Sequence, residues 1–125
     1  MSVTKSIKAF ALSFIGIFAV CGVQAREVLP NVTKEQVCVV GYSKTVRPSV
    51  AAIAKWKRLH ILRTQAWADY VVDHTVPLAS GGAPMGDNLQ LQTIADAKKK
   101  DILENKTHRE LCSGMITLQQ AQDRF

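Results

Sequence analysis

The stretch Ser80-Gly81-Gly82-Ala83-Pro84-Met85-Gly86-Asp87 constrains this chain more than any other. Its glycines and proline cannot hold a helix, so the segment is a loop. Strand-like segments flank it. Tyr70-Val71-Val72 runs directly into Asp73-His74, and Asn88-Leu89-Gln90-Leu91 alternates polar and apolar residues. Two short strands joined through one loop read as a hairpin. A long polar helix is expected from about Ile94 to Cys112, with Gly114 stopping it where a helix C-terminus favours glycine. Thr117-Leu118-Gln119-Gln120 then fits a capping box that opens a short final helix.

Upstream, Pro48 reads as the first residue of a helix, a position where its missing N–H costs nothing. From Ser49 to about Thr64, Val50, Ile53, Trp56 and Leu59 recur at three- and four-residue steps, which predicts one buried face. Lys55, Lys57, Arg58 and Arg63 occupy the other faces, solvated or touching phosphates. Val37 to Val40 is a short β-branched run around Cys38, closed by Gly41, and Arg26 to Asn31 reads as a mobile segment. No internal repeat or low-complexity tract interrupts the chain. The fold class expected is α+β: a helix, then a hairpin-plus-helix core, then a short C-terminal helix.

The first 25 residues are set apart by their pattern. Lys5 and Lys8 precede an apolar run from Ala9 to Val20, and Val23-Gln24-Ala25 places small residues where a signal peptidase reads them. The run is too short for a comfortable membrane span. Residues 1–25 are therefore expected to be a signal peptide and residues 26–125 one domain, exported to a periplasm or beyond, with no membrane attachment after cleavage. The alternatives are an uncleaved anchor and lipid attachment through Cys21, the latter disfavoured by the bulk of Val20. Cleavage leaves Cys38 and Cys112, and an even pair in an oxidising compartment points to a disulfide. Their spacing of 74 positions, with no C-x-x-C pair anywhere, argues against a zinc knuckle.

The full chain carries 16 Lys+Arg against 10 Asp+Glu, a net charge of +6. Removal of Lys5 and Lys8 leaves 14 basic residues and a net +4. A basic small domain suits an anionic partner such as nucleic acid. The residues with matching chemistry are Asp73 and His74. Phosphodiester hydrolysis needs a group that deprotonates water near neutral pH and charge that stabilises the phosphate and the departing oxygen. Histidine titrates in that range, and a carboxylate beside it can hold a divalent cation. Adjacent strand residues point to opposite faces, so the two can serve one site only where the strand ends or bends.

The spacing of several motifs resembles the HNH, or ββα-metal, endonuclease family. They are Val72-Asp73-His74-Thr75-Val76-Pro77-Leu78, then Gly81-Gly82, then Asp87-Asn88-Leu89, followed by Lys100-Asp101, Glu104, His108, Leu111-Cys112-Ser113-Gly114, Leu118 and Ala121-Gln122. Cys38-Val39-Val40-Gly41-Tyr42 and Thr45-Val46-Arg47-Pro48 resemble the N-terminal part of small exported members, so the resemblance spans nearly all of residues 26–125.

The resemblance implies a ββα-metal fold and metal-dependent cleavage of DNA or RNA with little sequence specificity. It implies that His74 is the general base, that Asp73 is a metal ligand for Mg²⁺ or Mn²⁺ with Zn²⁺ tolerated, and that Asn88 braces the loop and orients His74. The chain departs from the family at Ala97, where many members carry a third ligand. Asp101, one helical turn on, is the best substitute. Asp101, Glu104 and His108 share one helix face, with Glu104 and His108 expected as phosphate contacts or supports behind the ligands. Lys98, Lys99 and Lys100 are expected to meet backbone phosphates, or else to form a solvated face. The alternative reading is a non-catalytic nucleic-acid-binding module on a degenerate HNH scaffold.

Overall fold

A computed structural model describes residues 26–125, so the leader reading and Cys21 lie outside the described residues. The fold is a small α+β arrangement. Its elements in chain order are α1 (Lys34–Val37), α2 (Tyr42–Val46), α3 (Val50–His60), β1 (Tyr70–His74), β2 (Leu89–Thr93), α4 (Ile94–Cys112) and α5 (Leu118–Gln122). β1 and β2 form a two-stranded antiparallel sheet running from Tyr70 opposite Thr93 to His74 opposite Leu89. Asn88, expected to open the second strand, instead ends a 3-10 turn just before it.

The strand period of two puts Asp73 on one face, opposite Gln90, and His74 on the other, opposite Leu89. α4 leaves β2 without a linker, because the Thr93 side chain accepts from the Asp96 N–H at 3.2 Å and caps the helix. At its far end Gly114 takes φ 84°. The Met115 N–H reaches the Glu110 carbonyl at 2.9 Å and the Gly114 N–H reaches Leu111 at 3.1 Å, the two bonds of a Schellman stop. The expected capping box at Thr117 forms, and a second one at Thr33 opens α1.

Three expectations upstream need correction. The β-branched run Val37 to Val40 is not extended: α1 ends at Val37 and a turn carries the chain into α2, because the Thr33 capping box commits the segment to a helix. Arg26 to Asn31 is not loose. The Leu29 N–H donates to the Gly81 carbonyl at 3.0 Å and the Ala83 N–H to the Glu27 carbonyl at 2.9 Å, so this segment pairs with backbone groups that the glycine loop leaves open. Pro48 precedes the cap instead of starting the helix. Ser49 caps α3, its hydroxyl accepting from the Ala52 N–H at 3.1 Å, and the helix ends at His60 rather than near Thr64.

The predicted buried face of α3 forms only in part. Ile53 and Trp56 are half-buried, no α3 residue is fully buried, and Val50 is 88% exposed and Leu59 72% exposed. The core lies elsewhere, where Val37 of α1, Leu111 of α4 and Ala121 of α5 meet, with Tyr42, Ile116 and Leu118 packed around them. The expected disulfide joins Cys38 to Cys112 at this place, with Cα atoms 5.6 Å apart and 74 residues between them. Closing a loop of that length stabilises the fold by about 4 kcal/mol in the chain-entropy account. That matters for so small a core. Among the described residues, no helix is long and apolar enough to cross a membrane.

Candidate active site

The site is assembled where β1 ends. After His74 the chain turns through buried Thr75, Val76, Pro77 and Leu78, and Asn88 holds that turn shut. Its amide is fully buried. Nδ2 donates to the carbonyls of Val76 and Ala83, both at 2.9 Å, and Oδ1 accepts from the Val76 N–H at 3.0 Å. Gly82 lies against the same turn. A Cβ there would stand 1.9 Å from the Val76 carbonyl oxygen, so only glycine lets the two backbones approach. Asn88 and Gly82 together set where Ala83 and Pro84 lie.

That placement fixes His74. Its Nε2 lies 2.9 Å from the Pro84 carbonyl oxygen. A carbonyl only accepts, so Nε2 carries the hydrogen and Nδ1 keeps a lone pair. Burial pushes the imidazole below its ordinary value, and Arg47 and Lys100 push the same way. The Pro84 bond and Asp73 oppose them without reversing the direction. The ring is therefore neutral near pH 7 and able to take a proton.

At the same end of β1, α4 presents Lys100 to the strand. Three successive helix residues point about 100° apart, so only one of Lys98, Lys99 and Lys100 can face inward. Lys98 and Lys99 stay exposed. The Lys100 ammonium donates to Asp73 Oδ2 at 2.7 Å, Glu104 Oε1 at 2.7 Å and the His74 carbonyl at 2.5 Å. An ammonium has three N–H donors, and all three are used. Burial raises the Glu104 carboxyl above its usual range, while the bond to Lys100 pulls it back.

Although Asp73 and His74 alternate along β1, the strand ends at His74, and both line one cleft of about 290 Å³ with Asp101 and Glu104; Ser43, Arg47, Asn105 and the turn from Pro77 to Ala79 form the rest of its walls. The structure thus brings Asp101 and Glu104 to the same opening as Asp73 and His74. His108 lies one turn beyond Glu104, its Nδ1 3.2 Å from the carbonyl of Ala79 in the turn after Pro77. Ala97 sits earlier on α4 and adds no polar group. Two members of the site have roles that the sequence does not announce. Lys100, expected at a backbone phosphate, instead bridges two carboxylates, and Arg47 lies outside the residues that sequence reasoning selects for the site. The advance signals for Arg47 are its place in the Thr45-Val46-Arg47-Pro48 motif and in a segment without acidic residues.

The donor set can be compared with the needs of a divalent cation. Among the described residues, no three of His, Cys, Asp and Glu converge on one point. A zinc site normally takes three or four protein ligands, many of them nitrogen or sulfur. Mg²⁺ keeps several waters and is held by one or two carboxylates together with substrate phosphates. The cleft's sparse carboxylates, Asp73 with Asp101 and Glu104, fit that second pattern. No family model matches the chain, and no curated protein or solved structure matches it significantly.

Proposed function

We propose that this chain is an exported, metal-dependent nuclease of the HNH (ββα-metal) type, hydrolysing phosphodiester bonds of DNA or RNA. The observation that carries the reading is His74: neutral, locked by the Pro84 carbonyl into the tautomer with a free Nδ1, and lining a cleft shared with three carboxylates. In this reading Nδ1 removes a proton from water as that water attacks phosphorus, and the phosphorus bond to the leaving oxygen breaks. Asn88 keeps the imidazole in place through the turn it braces. Lys100 keeps the Asp73 carboxylate oriented and offsets the repulsion between Asp73 and Glu104. A Mg²⁺ or Mn²⁺ ion held by Asp73 with Asp101 or Glu104 would supply positive charge for the phosphate and the departing oxygen.

Purified residues 26–125 should degrade plasmid DNA or RNA with Mg²⁺ or Mn²⁺, and EDTA should abolish the activity. His74→Ala should lower kcat by about 10³-fold, the range expected when a general base is removed. A His74→Ala protein that cleaves as fast as the parent removes His74 from this role.

A second reading, a binding module without catalysis, draws on Ala97 and on Lys100, whose ammonium already stands between Asp73 and Glu104. Calorimetric titration separates the two. Heat of Mn²⁺ binding that disappears in Asp73→Ala favours the nuclease. DNA binding without any heat from millimolar metal favours the module.

A further inference from the structure

Charge is segregated along this chain. Between Glu35 and Asp69 there is no acidic residue, but there are six cations: Lys44, Arg47, Lys55, Lys57, Arg58 and Arg63. The rest of residues 26–125 has 8 basic and 10 acidic residues, so the whole positive excess sits in this one span. The span also includes α2 and α3, the two helices without a buried residue, and it starts at the cleft wall.

Arg47 is the link. It follows α2, forms one wall of the cleft with Asp73, His74, Asp101 and Glu104, and acts on the His74 imidazole through its charge. A phosphodiester entering this cleft meets three carboxylates. The cation between two of them, Lys100, has no donor left for it. Among the described residues, Arg47 makes no ion pair, and its side chain is exposed. A guanidinium with free N–H donors matches two phosphate oxygens at once.

α3 continues from there. Lys57 is committed to the protein: it donates to the carbonyls of Trp67 at 2.7 Å and Tyr70 at 2.6 Å, and stands 4.2 Å from the centre of the Trp67 ring. This ties α3 to the first residue of β1. Lys55 and Arg58, at i and i+3, remain exposed on one side of the helix, and Arg63 is exposed just beyond its end.

We propose that residues 44–63 are the substrate-docking arm of the cleft: Arg47 contacts the phosphodiester under attack, and Lys55, Arg58 and Arg63 hold flanking phosphates of the same backbone. The occupant is a nucleic-acid backbone, recognised by charge without base readout. The proposal rests on the nuclease reading for the role of Arg47.

The test measures binding apart from cleavage. A fluorescein-labelled DNA duplex is titrated with His74→Ala protein over a range of NaCl concentrations, and fluorescence anisotropy gives the affinity. Adding Lys55→Gln, Arg58→Gln and Arg63→Gln should weaken binding by more than about tenfold at low salt. It should also lower the slope of log affinity against log salt by about 2–3, since each phosphate left without its cation removes about 0.9. In the parent background, Arg47→Ala should lower kcat by about 100-fold, as removal of one charge-stabilising donor does, and Arg47→Lys should recover only part because the fork is gone. An unchanged salt slope in the triple variant overturns the arm, as does a His74→Ala protein that binds no DNA. Undiminished kcat in Arg47→Ala overturns that residue's part. Metal-dependent cleavage by the parent protein reads out the nuclease assignment separately: cleavage with an unaltered slope sinks the arm alone, and binding without cleavage sinks the nuclease together with Arg47's part but not the flanking contacts.

Discussion

The hairpin with α4 and the α2–α3 segment are built in opposite ways. From Thr75 to Ala83 nearly every residue is buried and the backbone polar groups are tied by Asn88, by the strand register and by the segment from Glu27 to Leu29. α3 only half-buries Ile53 and Trp56, leaves Val50 and Leu59 to solvent, and is tied to β1 through Lys57. The first region is tied down because its contacts are compulsory: a buried amide or carbonyl without a partner costs about 1–3 kcal/mol. The second is free to be cationic because little packs on it. A catalytic histidine needs the first kind of surroundings, and an anionic polymer can be gripped by the second.

Breaking the rigid half should have the largest effect. Gly82→Ala places a Cβ 1.9 Å from the Val76 carbonyl oxygen. The turn must move, and destabilisation by about 4 kcal/mol or more is expected, in the class of backbone and packing clashes. Chemical denaturation followed by circular dichroism measures it. A stability within about 1 kcal/mol of the parent would show that the turn is not as constrained as its geometry implies.

A smaller effect sharpens the link between burial and catalysis. His74 is held below its ordinary value of 6.5 by burial. A base works only when deprotonated, so kcat/KM should rise with pH through this lowered value, plateau by neutrality, and fall only on the acid side. The acid limb should have its midpoint below 6.5. A midpoint above that value would mean that Asp73 and the Pro84 bond outweigh desolvation, or that another group is the base.

The smallest effect is expected on the exposed half. Leu59 is 72% exposed, so Leu59→Gln should change stability by less than about 0.5 kcal/mol, the usual range for surface positions. Destabilisation by more than about 2 kcal/mol in thermal unfolding would show that something covers α3 in solution.

Different parts of this structure are legible in the sequence to different degrees, and for identifiable reasons. The loop from Ser80 to Asp87, the helix from Ile94 to Cys112, the stop at Gly114 and the cap at Thr117 follow from short-range chemistry: φ freedom, a missing donor, a hydroxyl three residues before an N–H. The pairing of Cys38 with Cys112 is legible on a different ground, the even number of cysteines in residues 26–125. The three- and four-residue steps of Val50, Ile53, Trp56 and Leu59 correctly mark a helix but not a buried one. Periodicity reports how residues are arranged around an axis, and it carries no information about whether another element arrives to cover them. The Val37 to Val40 run misleads because β-branching is a weak preference that a capping box and local turn override.

In the candidate site the same division holds. Asp73, His74 and Asn88 stand out only because their spaced motifs resemble those of HNH nucleases, and Ala97 only as a departure from that pattern. Lys98, Lys99 and Lys100 are indistinguishable as letters. Only the docking of α4 on the Asp73 face of the hairpin selects Lys100 to bridge Asp73 and Glu104 while its neighbours stay in water. Arg47 joins the cleft from 26 residues upstream of Asp73 through the way the chain folds back. The sequence by itself determined the glycine-rich loop, the long helix with its stop at Gly114, the cap at Thr117 and which residue types can transfer protons near neutral pH, since those depend on chemistry within a few positions. Tertiary structure alone decided which charges meet, which nitrogen of His74 holds the hydrogen and which helix stays bare, because those depend on groups distant in the chain being brought within a few ångströms of each other.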